Sequence, residues 1–132
     1  METINVTRLP KHTKVETLVG FINDVKGKRT EGFTKSFDLV SPPPYGYMVG
    51  TGAGEFDATN LTSDEIRFRV GELVDLYSGH DKLFLGGWIS PDGEVVIEVS
   101  QWIMNEDTAI ETGKRDKQIS IWDIANNNEI KL

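Results

Sequence analysis

The fold is decided by residues 83–103, which read LFLGGWISPDGEVVIEVSQWI. The first seven residues place apolar side chains on both faces of an extended chain, as in a central strand that is covered on both sides. Residues 91–93, Pro-Asp-Gly, form a turn, because proline presets one backbone angle and glycine accepts a positive φ. Val95, Ile97, Val99 and Ile103 then fall at every second or fourth position and share one face of an extended chain. The pattern therefore predicts two strands joined as a hairpin.

A helix over residues 63–78 is the next most distinct element. Thr62 and Glu65 have the spacing of a capping box, in which a hydroxyl and a carboxylate satisfy two free amides of the first turn. One face of this helix carries its apolar side chains: Ile66, Val70, Leu73, Val74 and Tyr77. Gly79 supplies the signal that ends the helix.

Two further helices have similar signals. Thr13 and Glu16 again have the spacing of a capping box, and Gly27 is expected to end this first helix in the left-handed conformation. Its apolar residues follow at helical spacing: Val15, Leu18, Val19, Ile22 and Val25. Asn105 is expected to cap a short third helix that runs to about Arg115.

The remaining segments complete a sheet. Alternating or β-rich stretches predict strands over residues 3–9, 30–40, 45–49, 118–124 and 129–132. Residues 42–44 are three prolines, which cannot donate to a strand ladder and predict a loop. We therefore expect one α+β domain over residues 1–132, with an antiparallel or mixed sheet and three helices packed mainly on one face.

Composition limits the chemistry. The chain has 132 residues, 38% of them apolar and 27% charged, which is typical of an ordinary globular domain. It has no cysteine, which excludes disulfides and thiolate metal sites, and neither His12 nor His80 has a second ligand at metal spacing. We expect no metal, no cofactor and no catalytic residue. Residues 1–14 lack the apolar core of a secretion signal, so we expect a cytoplasmic location and no membrane association.

The negative charge is concentrated in the middle of the chain. Residues 41–112 contain three basic and thirteen acidic side chains, whereas the whole chain has a net charge of −7. An acidic surface repels phosphate backbones, which makes direct nucleic-acid binding unfavourable and favours a protein partner with a basic surface. The acidic residues proposed to contact this partner are Glu55, Asp57, Glu72 and Asp75. Their alternative role is to keep a small protein soluble.

Aromatic residues provide a second set of candidate contacts. Tyr45 and Tyr47 follow the proline run, and Trp88 follows two adjacent glycines. Tyrosine and tryptophan are over-represented at interface hot spots, so these three are candidate apolar anchors. Packing in the core is the alternative for each of them, as it is for Trp102 and Trp122.

A glycine-rich loop offers an alternative function. Residues 50–57 contain Gly50, Gly52 and Gly54, which suggest a phosphate-binding loop. Such a loop requires a helix to begin at once, whereas here Glu55, Phe56 and Asp57 intervene. A small nucleotide-binding protein or enzyme using this loop is the second hypothesis. A virion structural or assembly component is the third.

Residues 82–131 carry a series of strand and turn residues: FLGGW at residues 84–88, Asp92 and Gly93, Val99 and Ser100, Ala109, Arg115, Gln118, and IWD at residues 121–123. With these residues the segment resembles small phage-encoded proteins of unassigned function, particularly those from phages of actinobacteria. The resemblance implies a mobile-element accessory protein in the host cytoplasm. Our hypothesis is that it binds a host or phage macromolecule through its acidic surface, as an inhibitor of a nucleic-acid-handling or defence protein would. A homo-oligomer is a further option.

Overall fold

A computed structural model describes residues 9–132, which form three helices and seven strands. In chain order these are α1 Lys11–Lys26, β1 Gly32–Ser36, β2 Tyr47–Gly50, β3 Phe56–Asp57, α2 Ser63–Tyr77, β4 Leu83–Ile89, β5 Val95–Ile103, α3 Glu106–Arg115, β6 Ser120–Asp123 and β7 Asn128–Lys131. The predicted α+β class with an antiparallel sheet is confirmed. The strand predicted over residues 3–9 lies outside the described residues, apart from Leu9.

The sheet is antiparallel throughout and has the strand order β1-β4-β5-β2-β6-β7. Strands β4 and β5 form the predicted hairpin at its centre, from Leu83 opposite Gln101 to Ile89 opposite Val95. Strands β2 and β3 pair with successive parts of β5, so residues 51–55 form a loop that interrupts one edge of this long strand.

All three helices pack on one face of the sheet, as predicted. The buried residues of α1 and α2 meet the alternate side chains of β5, such as Ile97 and Val99. Helix α3 covers a smaller cluster in which Ala109 meets Val49 and Ile121. The strand register places Val49 opposite Gln101, two residues from Val99, so both clusters lie on the same side of the sheet.

Two of the predicted helix starts are confirmed. Glu65 N donates to Thr62 Oγ1 at 3.1 Å, and Thr62 N donates to Glu65 Oε1 at 3.0 Å, which completes the capping box. At the start of α3, Thr108 N donates to Asn105 Oδ1 at 3.1 Å. In both caps the donor and acceptor are three residues apart, so a short segment is enough to form them when no distant group competes for the capping side chains.

The predicted start of the first helix is wrong. Helix α1 begins at Lys11 after Pro10, whose side chain makes no capping hydrogen bond, so Thr13 lies inside the helix. Glu16 instead accepts hydrogen bonds from Arg67 of α2, at 2.6 Å from Nε and 3.2 Å from Nη2. The local pattern predicted that the Glu16 carboxylate caps α1. It instead forms a bidentate ion pair with a residue of a second, packed helix.

The end of α1 also differs from expectation. Gly27 does follow the helix, but its φ is −80°, and Lys28 takes the left-handed conformation with a φ of 58°. A Cβ atom at position 27 would lie 2.6 Å from Arg29 Nη1. That atom is the end of the exposed Arg29 side chain, which folds back to donate to Asn23 O at 3.2 Å and is free to move aside, so the contact does not by itself require glycine.

The same Thr-x-x-Glu spacing occurs at Thr62 and at Thr13, and this allows a matched test of side-chain capping. Thr62→Ala is expected to lower the free energy of unfolding by about 1 kcal/mol, because it removes a side-chain cap. Thr13→Ala is the matched control, and it should leave stability unchanged or raise it slightly, since alanine favours helix interiors. Urea denaturation of both variants makes the comparison. Equal losses in the two would contradict the assignment of the caps.

Candidate interaction face

The opposite face of the sheet is covered by none of the three helices. Side chains of residues paired across antiparallel strands point to the same side, so the register identifies this face. We call it the open face, and its central residues are Met48, Phe84, Gly86, Trp88, Val96, Glu98, Ser100, Trp102 and Trp122. Strand β4 was predicted to be covered on both sides, and this is only half correct. Phe84 is buried near Val40 and Pro43 of the loop after β1, whereas Trp88 is 38% exposed.

Three tryptophan side chains lie on the open face. Trp88 is 38% exposed and Trp122 is 42% exposed, and they lie at diagonal corners. Trp102 is fixed, because its Nε1 donates to Tyr45 O at 2.8 Å and the Tyr45 ring packs edge-on against it. The distance from the row of Trp88 to the row of Trp102 is about 20 Å along the strands.

A half-buried carboxyl group lies between these tryptophans. Glu98 is opposite Gly86 on β4, and its Oε1 accepts a hydrogen bond from Ser100 Oγ at 3.3 Å. Burial, together with the nearby Glu55 carboxylate, raises the pKa of Glu98 to about 7. The Gln118 side chain lies beside it, over Gly50. Within residues 9–132, no salt bridge involves Glu98.

The four predicted acidic contacts fall on two sides of the molecule. Glu55 lies beside Glu98, and Asp57 is in the row of Val96 on the open face. Glu72 and Asp75 lie on the solvent side of α2, in the helical layer. Asp57 accepts hydrogen bonds from Thr59, which hold the pKa of its carboxyl below the usual value, and Asp75 pairs with Lys11 at 2.8 Å. These acids do not form one continuous patch.

The predicted aromatic contacts are also separated. Trp88 lies on the open face, and Tyr45 is at its margin, 50% exposed. Tyr47 lies on the helical side, where it packs against the α3 cluster and its hydroxyl is 3.4 Å from Glu106 Oε2. Burial and the charge of Glu106 raise the pKa of the Tyr47 hydroxyl. Tyr47 is therefore not part of the open face.

The glycine-rich loop does not have the geometry of a phosphate-binding loop. It leads from Gly50 into β3, and α2 begins only at Ser63. Gly54 takes a φ of 66°, and a Cβ atom there would lie 2.7 Å from Leu73 Cδ2. The loop thus packs on the side of α2, and the amides at the start of that helix are satisfied by the capping box.

The sequence suggests Glu98 only as a possible acid–base partner of Glu94, and four residues of extended strand separate their backbones by about 13 Å, too far for such a pair. Gly86 lies opposite Glu98 and leaves its carboxyl without a facing side chain, but that pairing depends on the register of the hairpin. The turn at residues 91–93 fixes this register, so counting back from the turn was the available signal.

Within the described part of the chain, no helix is long and apolar enough to span a membrane. The same residues contain no group of three or more His, Cys, Asp or Glu side chains arranged to hold a metal ion. Comparison with models of protein families, with curated proteins and with solved structures finds no match. The resemblance to phage proteins therefore stays a prediction.

Proposed function

We propose that this protein acts by binding a protein partner with a basic surface, and that it does so through the open face. One observation carries the proposal: all three helices lie on one side of the sheet, and the other side exposes Trp88 and Trp122 around the carboxyl group of Glu98. Tryptophan buries a large area at little cost in conformational entropy, which is why it is frequent among interface hot spots.

The charge of the open face supports a basic partner. Among the described strand positions on this face, Asp57, Glu98 and Glu129 lie with one cation, Lys131, and Glu55 adds a fourth acid beside Glu98. Lys82, whose carbonyl oxygen accepts a hydrogen bond from Trp102 N, adds a second cation at the edge of the face, so acids still outnumber bases. Complementary charge speeds association and rejects partners of the same sign. A second copy of the chain would bring these carboxylates together, and a nucleic acid would bring phosphates against them, so both are disfavoured.

The proposed biological setting follows from the resemblance of residues 82–131 to phage-encoded proteins. In that setting the chain is an accessory protein of the host cytoplasm, and the partner is a host or phage protein. A basic surface that normally holds nucleic acid matches the required charge. Occupying such a surface would inhibit a nucleic-acid-handling or defence protein.

A display library of randomised peptides tests the proposal directly. The wild-type protein is expected to enrich peptides that contain lysine or arginine. Trp88→Ala combined with Trp122→Ala should weaken their binding by about thirtyfold or more, the loss expected when hot-spot residues are removed. Both side chains are partly exposed, so thermal melting should show that the double variant still folds.

The matched control uses the exposed apolar residues of α2. Phe68 is 69% exposed and Leu76 is 64% exposed, so Phe68→Ala with Leu76→Ala removes a similar apolar area from the helical side. This variant should bind the enriched peptides as the wild type does. Enrichment of peptides without basic residues would contradict the proposal. Equal binding by the tryptophan variant, or selective loss in the α2 variant, would also contradict it.

A further inference from the structure

We infer that the hollow above Gly86, between Trp88 and Glu98, is a subsite that receives a lysine or arginine side chain of the partner. This inference rests on the proposed function and assigns the chemistry of its central contact. The hollow is defined by its neighbours on the open face. Phe84 and Trp88 flank Gly86 along β4, while Glu98 of β5 and Thr34 of β1 lie opposite it on either side.

Among residues 9–132, and apart from the two chain neighbours of Gly86, no side chain lies within 4 Å of the point that a Cβ atom at position 86 would occupy. A Cβ atom at Gly86 would have only Phe33 O at 3.7 Å and Glu98 O at 4.0 Å near it, and both belong to the backbone. The next residue is different, since a Cβ atom at Gly87 would lie 2.6 Å from Phe33 Cε1 and 2.9 Å from Ile97 Cδ1. Packing on the helical side therefore requires glycine at position 87. At position 86 no packing contact requires glycine, and the missing side chain leaves space on the open face.

The electrostatics of the hollow favour a cation. The polar groups near the Glu98 carboxyl are the Ser100 hydroxyl on its own strand, the Gln118 amide before β6, and the Glu55 carboxylate before β3. None of these is positively charged. Burial disfavours the ionised form of the Glu98 carboxyl, which is why its pKa is raised, and a cation beside it stabilises that ionised form. A lysine or arginine entering the hollow supplies that charge.

The walls of the hollow suit the same ligand. Paired residues on neighbouring strands have Cβ atoms about 5 Å apart, so a side chain above Gly86 would reach the Glu98 carboxyl. The exposed indole of Trp88, two residues along the strand, can contact the aliphatic stem of that side chain. It can also attract the charged end, because an aromatic face attracts cations within about 6 Å.

A titration by nuclear magnetic resonance tests this subsite with a defined probe. The probe is an acetylated hexa-arginine peptide, and a neutral glycine–serine peptide of the same length is the blank. The expected shifts centre on Gly86 and the Trp88 indole. Because Glu98 has a pKa of about 7, it is mostly protonated at pH 6 and mostly ionised at pH 8. If only the ionised form binds the cation, affinity should rise about tenfold between these pH values.

Three variants separate the possible outcomes. Glu98→Gln should abolish the rise with pH, and Gly86→Val should weaken binding by filling the hollow with a side chain that suits a strand. Glu72→Gln removes the same charge from the surface of α2, and it should keep both the affinity and the rise. Retention of the rise in Glu98→Gln overturns the subsite. If the shifts on Trp88 and Trp122 nevertheless persist, the open face stands as the binding surface. Shifts confined to α2 overturn both proposals.

Discussion

Leu73→Asp is expected to lower the free energy of unfolding by more than about 4 kcal/mol, because it places a carboxylate in the core without a cation. Leu73 is 6% exposed, faces the sheet from α2, and contacts the loop at Gly54. Domains of this size have a total stability of about 5–15 kcal/mol, so the loss is a large fraction of it. Urea denaturation followed by circular dichroism measures the loss.

Leu76→Asp is the matched control for this variant. The same substitution, three residues further along the same helix, falls on a side chain that is 64% exposed. It should cost less than about 1 kcal/mol, because the new carboxylate stays in water. Similar losses in both variants would mean that α2 is sensitive to aspartate at any position. Full stability of Leu73→Asp would show that this face of the helix is not in the core.

Local signals predicted most of the secondary structure. The hairpin of β4 and β5 and the capping box at Thr62 depend on residues a few positions apart. A short segment therefore contains all the residues that determine them. The spacing of Val95, Ile97 and Val99 predicted that these residues share one face, and it is this face that the helices cover. The same reasoning did not find β3, because its two residues are extended only through pairing with Ile97 and Val96 of β5.

Distant contacts decided the features that the sequence left open. Thr13 and Glu16 have the same spacing as Thr62 and Glu65, yet Arg67 on another helix takes the Glu16 carboxylate. The four predicted acids look like one acidic segment along the chain, but the fold puts α2 on the opposite side of the sheet from Glu55. The sequence therefore predicted that this part of the chain is acidic, but it did not predict how the acidic side chains are distributed over the surface.

A buried ion pair is the clearest case of a feature without a local signal. Lys14 Nζ lies 2.7 Å from Asp38 Oδ1, and the side chains are 6% and 5% exposed. Lys14 Nζ also lies 3.4 Å from Ser78 Oγ, and Gly79 N donates to Asp38 Oδ2 at 2.8 Å. The pair thus joins α1, the loop after β1 and the end of α2. Neither a helical lysine nor a turn aspartate is marked for burial by its neighbours.

Lys14→Met is expected to lower the free energy of unfolding by about 3–5 kcal/mol, because it leaves the Asp38 carboxylate buried without its cation. Methionine retains the length of the lysine stem, so the loss reports charge rather than a cavity. Adding Asp38→Asn removes the remaining charge, while the asparagine carbonyl can still accept the hydrogen bond from Gly79 N. The double variant should therefore recover part of the loss, and a double-mutant cycle in urea measures the coupling. Purely additive losses would show that the two charges do not interact. A loss below about 1 kcal/mol in Lys14→Met would show that they are solvated, as surface ion pairs are.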